Sequence, residues 1–312
     1  MDSTVLLIVL PVFLVIALGF VLRRVGLVSA ELLFALNRLI YYIALPALLF
    51  YKISTADFAA NFNPALLGGL VVTTLAIFLF SSAYAALRGY SPAVNGAFSQ
   101  AAFRGNLAYI GLAIVYSAYG EEGFTVAGIL LGFLVPQLNL QSVLALTLPH
   151  RRQSQEMGRS FFIRQVLGNP LLLASLLGIL WSFYDLPVPV VIDRSLAIVT
   201  GMSLPLALIS IGASFSFKKF RGDIAVAALA TLLKIVISPA LAALILIVLG
   251  VRDQELAIGI LLAGCPTATA AYIMAQQLRC DAELSATIIM LSTLGSLVTF
   301  TGSLYLLQHL AS

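Results

Sequence analysis

Stretches of about twenty apolar residues recur along this 312-residue chain, and no other feature restricts its fold so strongly. Ten are read: 4–22, 31–51, 64–87, 95–117, 123–148, 164–184, 190–215, 222–250, 255–277 and 284–308. With 61% hydrophobic residues, 10% charged residues and a mean hydropathy of +1.06, the chain lies outside the range of soluble domains. Hydrocarbon offers no partner for backbone N–H and C=O groups, so segments of this length must be helices. The expected class is an all-α polytopic membrane protein. Residues 4–22 exceed a signal-peptide core and run into Arg23-Arg24 without a small-residue cleavage site, so the first helix is expected to stay.

Charge placement tests the count. With the N-terminus outside, the inner loops hold Arg23, Arg24, Arg88, Arg151, Arg152, Arg159, Arg164, Lys218, Lys219, Arg221 and Arg279. Only Lys52, Arg194 and Arg252 fall on the outer side, a bias of eleven against three. The positive-inside rule then places both termini outside a plasma (bacterial inner) membrane. The basic stretch HRRQSQEMGRSFFIR (150–164) separates five spans from five, which divides the chain into 1–149, a cytoplasmic connecting loop at 150–163, and 164–312. The loop is expected to be topogenic rather than ligand-binding. Cys265 and Cys280 lie about 22 Å apart along a helix, too far for a disulfide, and are expected to be free.

The two halves share landmarks. An offset of 159 residues carries Pro11 to Pro170, Gly19 to Gly178 and Leu45-Pro46 to Leu204-Pro205. An offset near 163 carries Ala108-Tyr109-Ile110 to Ala271-Tyr272-Ile273. Five helices per half make the second copy enter from the opposite face, an inverted repeat of the kind found in secondary transporters. The fourth and ninth spans each have a weak centre, FRGNLAYIG (103–111) and AGCPTATAAYIM (263–274). Proline removes a donor and clashes with the preceding turn, so Pro266 should interrupt its helix. Two interrupted helices crossing near the midplane would offer their ends to a ligand; a kink relieved by neighbouring helices is the alternative.

The segments NRLIYYIALPALLF (37–50), FRGNLAYIGLAIVYSAYG (103–120), GNPLLL (168–173), LPLALISIGASF (204–215), LKIVISPAL (233–241) and GCPTATAAYIMAQQ (264–277) resemble the auxin efflux carrier family. That family lies within the wider group of bile-acid-symporter-like and antiporter-like transporters. The resemblance covers essentially the whole chain. It implies a ten-helix fold with a mobile scaffold and core, crossed fourth and ninth helices, and transport of small organic anions such as auxin-like compounds, malate or malonate. Many members carry proline shortly after the asparagine of the fourth helix. Here Ala113 stands instead, so the interruption is expected to rest on Gly105, Asn106 and Gly111. Dimers formed through the scaffold are common in related folds. A homodimer, and coupling to protons or sodium, are left open.

The acidic residues all map to loops or helix ends, which weakens the reading of a cation/proton antiporter. Arg38, Arg104 and Lys234 are the basic residues inside spans, and basic groups there point to an anion. Arg104 adjoins the fourth-helix interruption and could grip a carboxylate as a fork or steady the broken helix. Lys234 could tether the broken helix, meet the substrate, or, as the resemblance implies, replace a bound sodium ion. Arg38, nearer a helix end, is expected to snorkel. Gly105, Asn106, Pro266, Thr267 and Thr269 form the expected substrate site, with the threonines binding substrate or recapping freed backbone. Gln137, Asn139 and Gln141 interrupt the fifth helix, and one or two of them are expected to line the cavity. Tyr109 and Tyr272 are expected to pack across the crossover. No cofactor, metal or nucleic-acid partner is expected beside the lipid bilayer and the anion. An intramembrane enzyme would use serines in GMSLP (201–205) or GASFS (212–216), but His150 and His309 lie too far out to serve them. A channel or sensor would also suit such a chain, as would a sodium-coupled symporter of the bile-acid type.

Overall fold

Where hydropathy predicts spans the computed structural model has helices; it describes residues 3–150, 168–215 and 223–311. In chain order these are α1 (Ser3–Arg24), α2 (Ala30–Leu39), α3 (Leu45–Ser54), α4 (Phe58–Asn61), α5 (Pro64–Leu87), α6 (Pro92–Phe103) and α7 (Leu112–Thr147). After the basic stretch come α8 (Pro170–Phe183), α9 (Val190–Gly201), α10 (Ser203–Ser214), α11 (Ile224–Leu232) and α12 (Ser238–Val248). The last three are α13 (Asp253–Ala263), α14 (Ala270–Gln277) and α15 (Ala282–Ala311). Among the described residues, seven helical stretches are long and apolar enough to cross a membrane. They are Val5–Arg24, Ala30–Ser54, Pro64–Leu87, Leu107–His150, Val190–Ser214, Ile224–Val248 and Ala282–His309. Pro170–Phe183 is apolar but shorter. The predicted fourth and ninth spans are in pieces, with 12 residues in α6, 11 in α13 and 8 in α14. Within Leu107–His150, Gly120 turns the chain at φ 59, ψ −150, between the predicted fourth and fifth spans.

Local chemistry sets these boundaries. Asn63 accepts from the Ala65 and Leu66 N–H groups ahead of α5, with Pro64 at the first helical position. Asp223 accepts from Ala225 and Val226 at the start of α11, and it follows Asn63 by 160 residues, close to the offset found in the sequence. Single wide π-turns occupy Ile40–Ala44 and Leu233–Ile237, just before Pro46 and Pro239. A proline ring clashes with the carbonyl four residues back. Those carbonyls, on Tyr42 and Ile235, sit inside the widened turns, which make room for the rings. Pro205 stands in the same relation to Gly201, where α9 gives way to α10.

Packing repeats the offset as well. A Cβ added to Gly19 would fall 2.1 Å from the Ile209 carbonyl oxygen, so α1 and α10 approach as only glycine permits. On α8, a Cβ on Gly178 would fall 3.0 Å from Ile53 Cβ and 3.2 Å from the Phe50 carbonyl of α3. Gly19 and Gly178, and Phe50 and Ile209, are each 159 residues apart, so one helix contact occurs twice.

Contacts among loops and helix ends fall into two groups. At one end Lys52 pairs with Glu121, Asn63 donates to Glu255, and Ser182 bridges the Ala56 carbonyl and the Phe58 N–H. At the other, the Asp281 N–H donates to the Ala93 carbonyl and the Cys280 thiol to that of Leu146. Each contact joins loops or helix ends that the charge count assigns to a single side. Arg151, Arg152, Arg159, Arg164, Lys218, Lys219 and Arg221, and the connecting loop beyond His150, lie outside the described residues.

Candidate functional site

The two interruptions meet. α6 ends at Phe103, Arg104 turns extended at ψ 93, and a wide turn resumes at Leu107–Gly111. The ninth span stops at Ala263 and restarts at Ala270. Between them the Asn106 N–H donates to the Pro266 carbonyl at 2.8 Å and the Ala268 N–H donates to the Arg104 carbonyl at 2.9 Å. The bonds flank an antiparallel bridge between Gly105 and Thr267, and an offset of 162 residues exchanges one bond for the other. Backbone groups freed by each break are thus satisfied by the other break, which removes a cost of several kcal/mol per group in hydrocarbon. Gly105 permits the approach: an added Cβ would fall 3.2–3.4 Å from Leu107, Cys265 and Lys234.

Side chains complete the repair. The Thr267 hydroxyl donates to the Ala101 carbonyl in the last turn of α6 at 2.8 Å. Its backbone N–H donates to Ser292 Oγ at 3.0 Å, and Ser292 donates to the Ile289 carbonyl of α15. Thr269 stands at the start of α14 without a side-chain capping bond. Asn106 is 6% exposed, and its side chain bonds to no described residue.

Arg104 and Lys234 are the only buried charged side chains among the described residues. The Arg104 guanidinium donates to Asn139 Oδ1 at 2.6 Å, Ser142 Oγ at 2.7 Å and the Leu138 carbonyl at 3.1 Å, which moors the α6 end to α7. Its Nε has no described partner. Lys234 Nζ donates to the Ala263 carbonyl at 2.5 Å, at the C-terminus of the half-helix α13. There its charge meets the negative end of the helix dipole, and two of its three N–H donors remain available.

A cavity of about 20 Å³, room for about one water molecule, lies beside the bridge. Thr74, Gly105, Lys234, Ser238 and Leu262 help wall it. Among the residues singled out in the sequence, Gly105 and Lys234 line this space. Gln137 donates instead to Thr74 Oγ1, Asn139 holds Arg104, and Gln141 is buried with neither amide atom bonded to a described residue. Ser292, Ser142, Thr74 and Ser238 were not anticipated. The spacing of 138, 139 and 142 along one turn was the available signal for the Arg104 cradle. The serines of the enzyme reading serve helices: Ser203 donates to the Ala44 carbonyl and Ser214 to that of Ser210, while Ser216 lies outside the described residues. No cluster of His, Cys, Asp or Glu able to hold a metal occurs among the described residues.

Helices this long and apolar define a multi-pass membrane protein. Residues 4–304 match the family described as membrane transport protein, and the chain belongs to it, which is the auxin efflux carrier family. It is 28% identical over 292 residues to an uncharacterised transporter of Methanothermobacter thermautotrophicus, covering 93% of this chain and 94% of the relative. It is 26% identical over 303 residues to a Rhizobium meliloti protein named "Putative malonate transporter", covering 96% and 95% respectively.

Proposed function

We propose that this transporter is a secondary carrier for a small organic anion, preferably a dicarboxylate, working by alternating access. In this reading the chain crosses the membrane ten times as two inverted five-helix repeats, 1–149 and 164–312, joined by a cytoplasmic loop, with both termini outside. The observation that carries the substrate class is the pair of buried cations, Arg104 and Lys234, beside the paired interruptions, with no buried acidic side chain among the described residues. Two uncompensated charges in a low-dielectric interior call for two negative charges on the ligand. The name of the Rhizobium relative agrees with a dianion of this size.

Lys234 supplies the cation that faces the cavity, and Leu107, at the start of the 107–111 turn, lines the same cavity. Arg104 adds positive potential and holds the α6 end in register. A cavity of about 20 Å³ is too small for a dicarboxylate, so in this reading the site must widen to admit one. Opening requires the unit built on the interruptions to move against the glycine-packed pairs α1–α10 and α3–α8. Lys234 already places a positive charge at the end of α13, so transport is expected to run without sodium.

The test is a thermal-shift titration of purified protein with malonate and malate against acetate and an indole monocarboxylate, each with and without sodium. Dianions should raise the melting temperature saturably and sodium should change nothing. Equal shifts from mono- and dicarboxylates would overturn the dianion reading, and a shift that appears only with sodium would favour a sodium-coupled symporter.

A further inference from the structure

We propose that Ser292 is a positioning residue for the anion site, acting through the backbone N–H of Thr267; this rests on the site reading given above. Interrupting the ninth span at Pro266 frees the Thr267 N–H from its helical acceptor, and lipid offers it no other. Ser292 Oγ, fully buried on α15, is the acceptor at 3.0 Å. Its own proton goes to the Ile289 carbonyl at 3.2 Å, which fixes the rotor and turns the oxygen's acceptor side toward Thr267. Ser285, Thr293 and Ser296 on the same helix donate to carbonyls of their own helix or its cap, Asp281, Ile289 and Thr293.

Fixing Thr267 fixes its neighbours. Pro266 presents its carbonyl to the Asn106 N–H, and Ala268 presents its N–H to the Arg104 carbonyl. The Thr267 hydroxyl holds Ala101 at the end of α6. One hydroxyl on α15 therefore orients both segments that lead into the half-helix starts at Leu107 and Ala270. The first half of the chain shows the same device in another form. There Arg104 moors its interruption to α7 through Leu138, Asn139 and Ser142. The residue at the exchanged position is Pro266, which has neither a donor side chain nor an N–H, so the mooring passes to the next backbone N–H and to Ser292. Each interruption is tied to the last helix of its own half.

The experiment compares Ser292→Ala and Ser292→Thr with the unaltered protein in two measurements. Hydrogen exchange of the peptide carrying Thr267 reads the bond without any ligand. Malonate uptake into proteoliposomes, normalised to folded transporter, gives the half-saturation concentration and the maximal rate. Ser292→Ala should speed exchange at Thr267 about tenfold or more and raise half-saturation about tenfold, with the maximal rate within about twofold. Ser292→Thr, which keeps the hydroxyl, should restore both. Unchanged exchange in Ser292→Ala overturns the anchoring. Faster exchange with unchanged half-saturation overturns the positioning role and leaves a structural one. If the unaltered protein takes up no carboxylate, the anion reading and the positioning role fall together, while exchange alone still decides the anchoring. Should Ser292→Ala not fold, Ser292→Cys, a weaker acceptor, is read by the same criteria.

Discussion

Lys234→Met separates the two roles a buried cation can have. The substitution keeps most of the side-chain volume and removes the charge. It loses the bond to the Ala263 carbonyl, a charge-assisted hydrogen bond of about 1.5–3 kcal/mol. It also removes an ammonium that is 1% exposed and has no acidic partner, whose desolvation cost is on the order of several kcal/mol. The two terms oppose each other, so stability should stay within about 2 kcal/mol of the unaltered protein, or rise. That corresponds to about 5 °C or less in melting temperature for a chain of this length. Binding has no such compensation. A carboxylate about 4 Å from the ammonium, at an effective dielectric constant of about 20, gains about 4 kcal/mol. Losing it should weaken dicarboxylate binding about a thousandfold. Differential scanning fluorimetry and malonate uptake on the same preparation check both halves. A variant that melts more than about 10 °C lower would make Lys234 structural. One that transports with half-saturation within about tenfold of the original would refute its place beside the anion.

Other expectations follow from single contacts. Arg104→Lys keeps the charge but cannot reach Asn139, Ser142 and Leu138 together, so uptake should fall about tenfold or more while membrane expression persists; uptake at the original level would show that the fork geometry is dispensable. Gly212→Ala places a Cβ 1.7 Å from the Ile16 carbonyl, so α1 and α10 must part and stability should drop by about 1–3 kcal/mol or more. Gly128→Ala, whose nearest neighbour would be Leu49 Cδ2 at 3.8 Å, should be neutral in the same melting assay. Burial pushes the Cys280 thiol up to about 12, with Asp281 adding to the effect. The thiolate fraction then stays small, and maleimide labelling at Cys280, mapped by mass spectrometry, should keep rising from pH 7 to pH 10; a plateau near pH 9 would contradict this.

The presence of apolar helices was more legible than their ends or their contacts. Hydropathy points to helices where the structure has them, but seven stretches rather than ten are long and apolar enough to cross a membrane among the described residues. The starts at Asn63-Pro64, Asn169-Pro170 and Asp223 are set by capping that hydropathy does not register. Interruption of the fourth span needed no proline: Gly105 and Asn106 suffice once Pro266 and Ala268 supply partners. The wide turns at Ile40–Ala44 and Leu233–Ile237 were not anticipated, because a proline predicts a disturbance but not whether the helix breaks or widens. Side-chain destinations were the hardest to foresee. Helical periodicity puts residues 137 and 141 on one face and 139 on another, yet which neighbour each face meets depends on helix packing angles. So Asn139 cradles Arg104, Gln137 reaches Thr74, and the cavity passes to Lys234 and Ser238. Ser292, in a helix with many small polar residues, carries no mark that separates it from Ser285 or Ser296.

Counterflow in proteoliposomes tests the central claim most directly. Vesicles loaded with unlabelled malonate and diluted into tracer malonate without sodium should accumulate tracer transiently above equilibrium. Vesicles carrying Lys234→Met should not. Tracer that only equilibrates, at a rate that neither saturates nor responds to internal malonate, would contradict a carrier with a dicarboxylate site between the two interruptions.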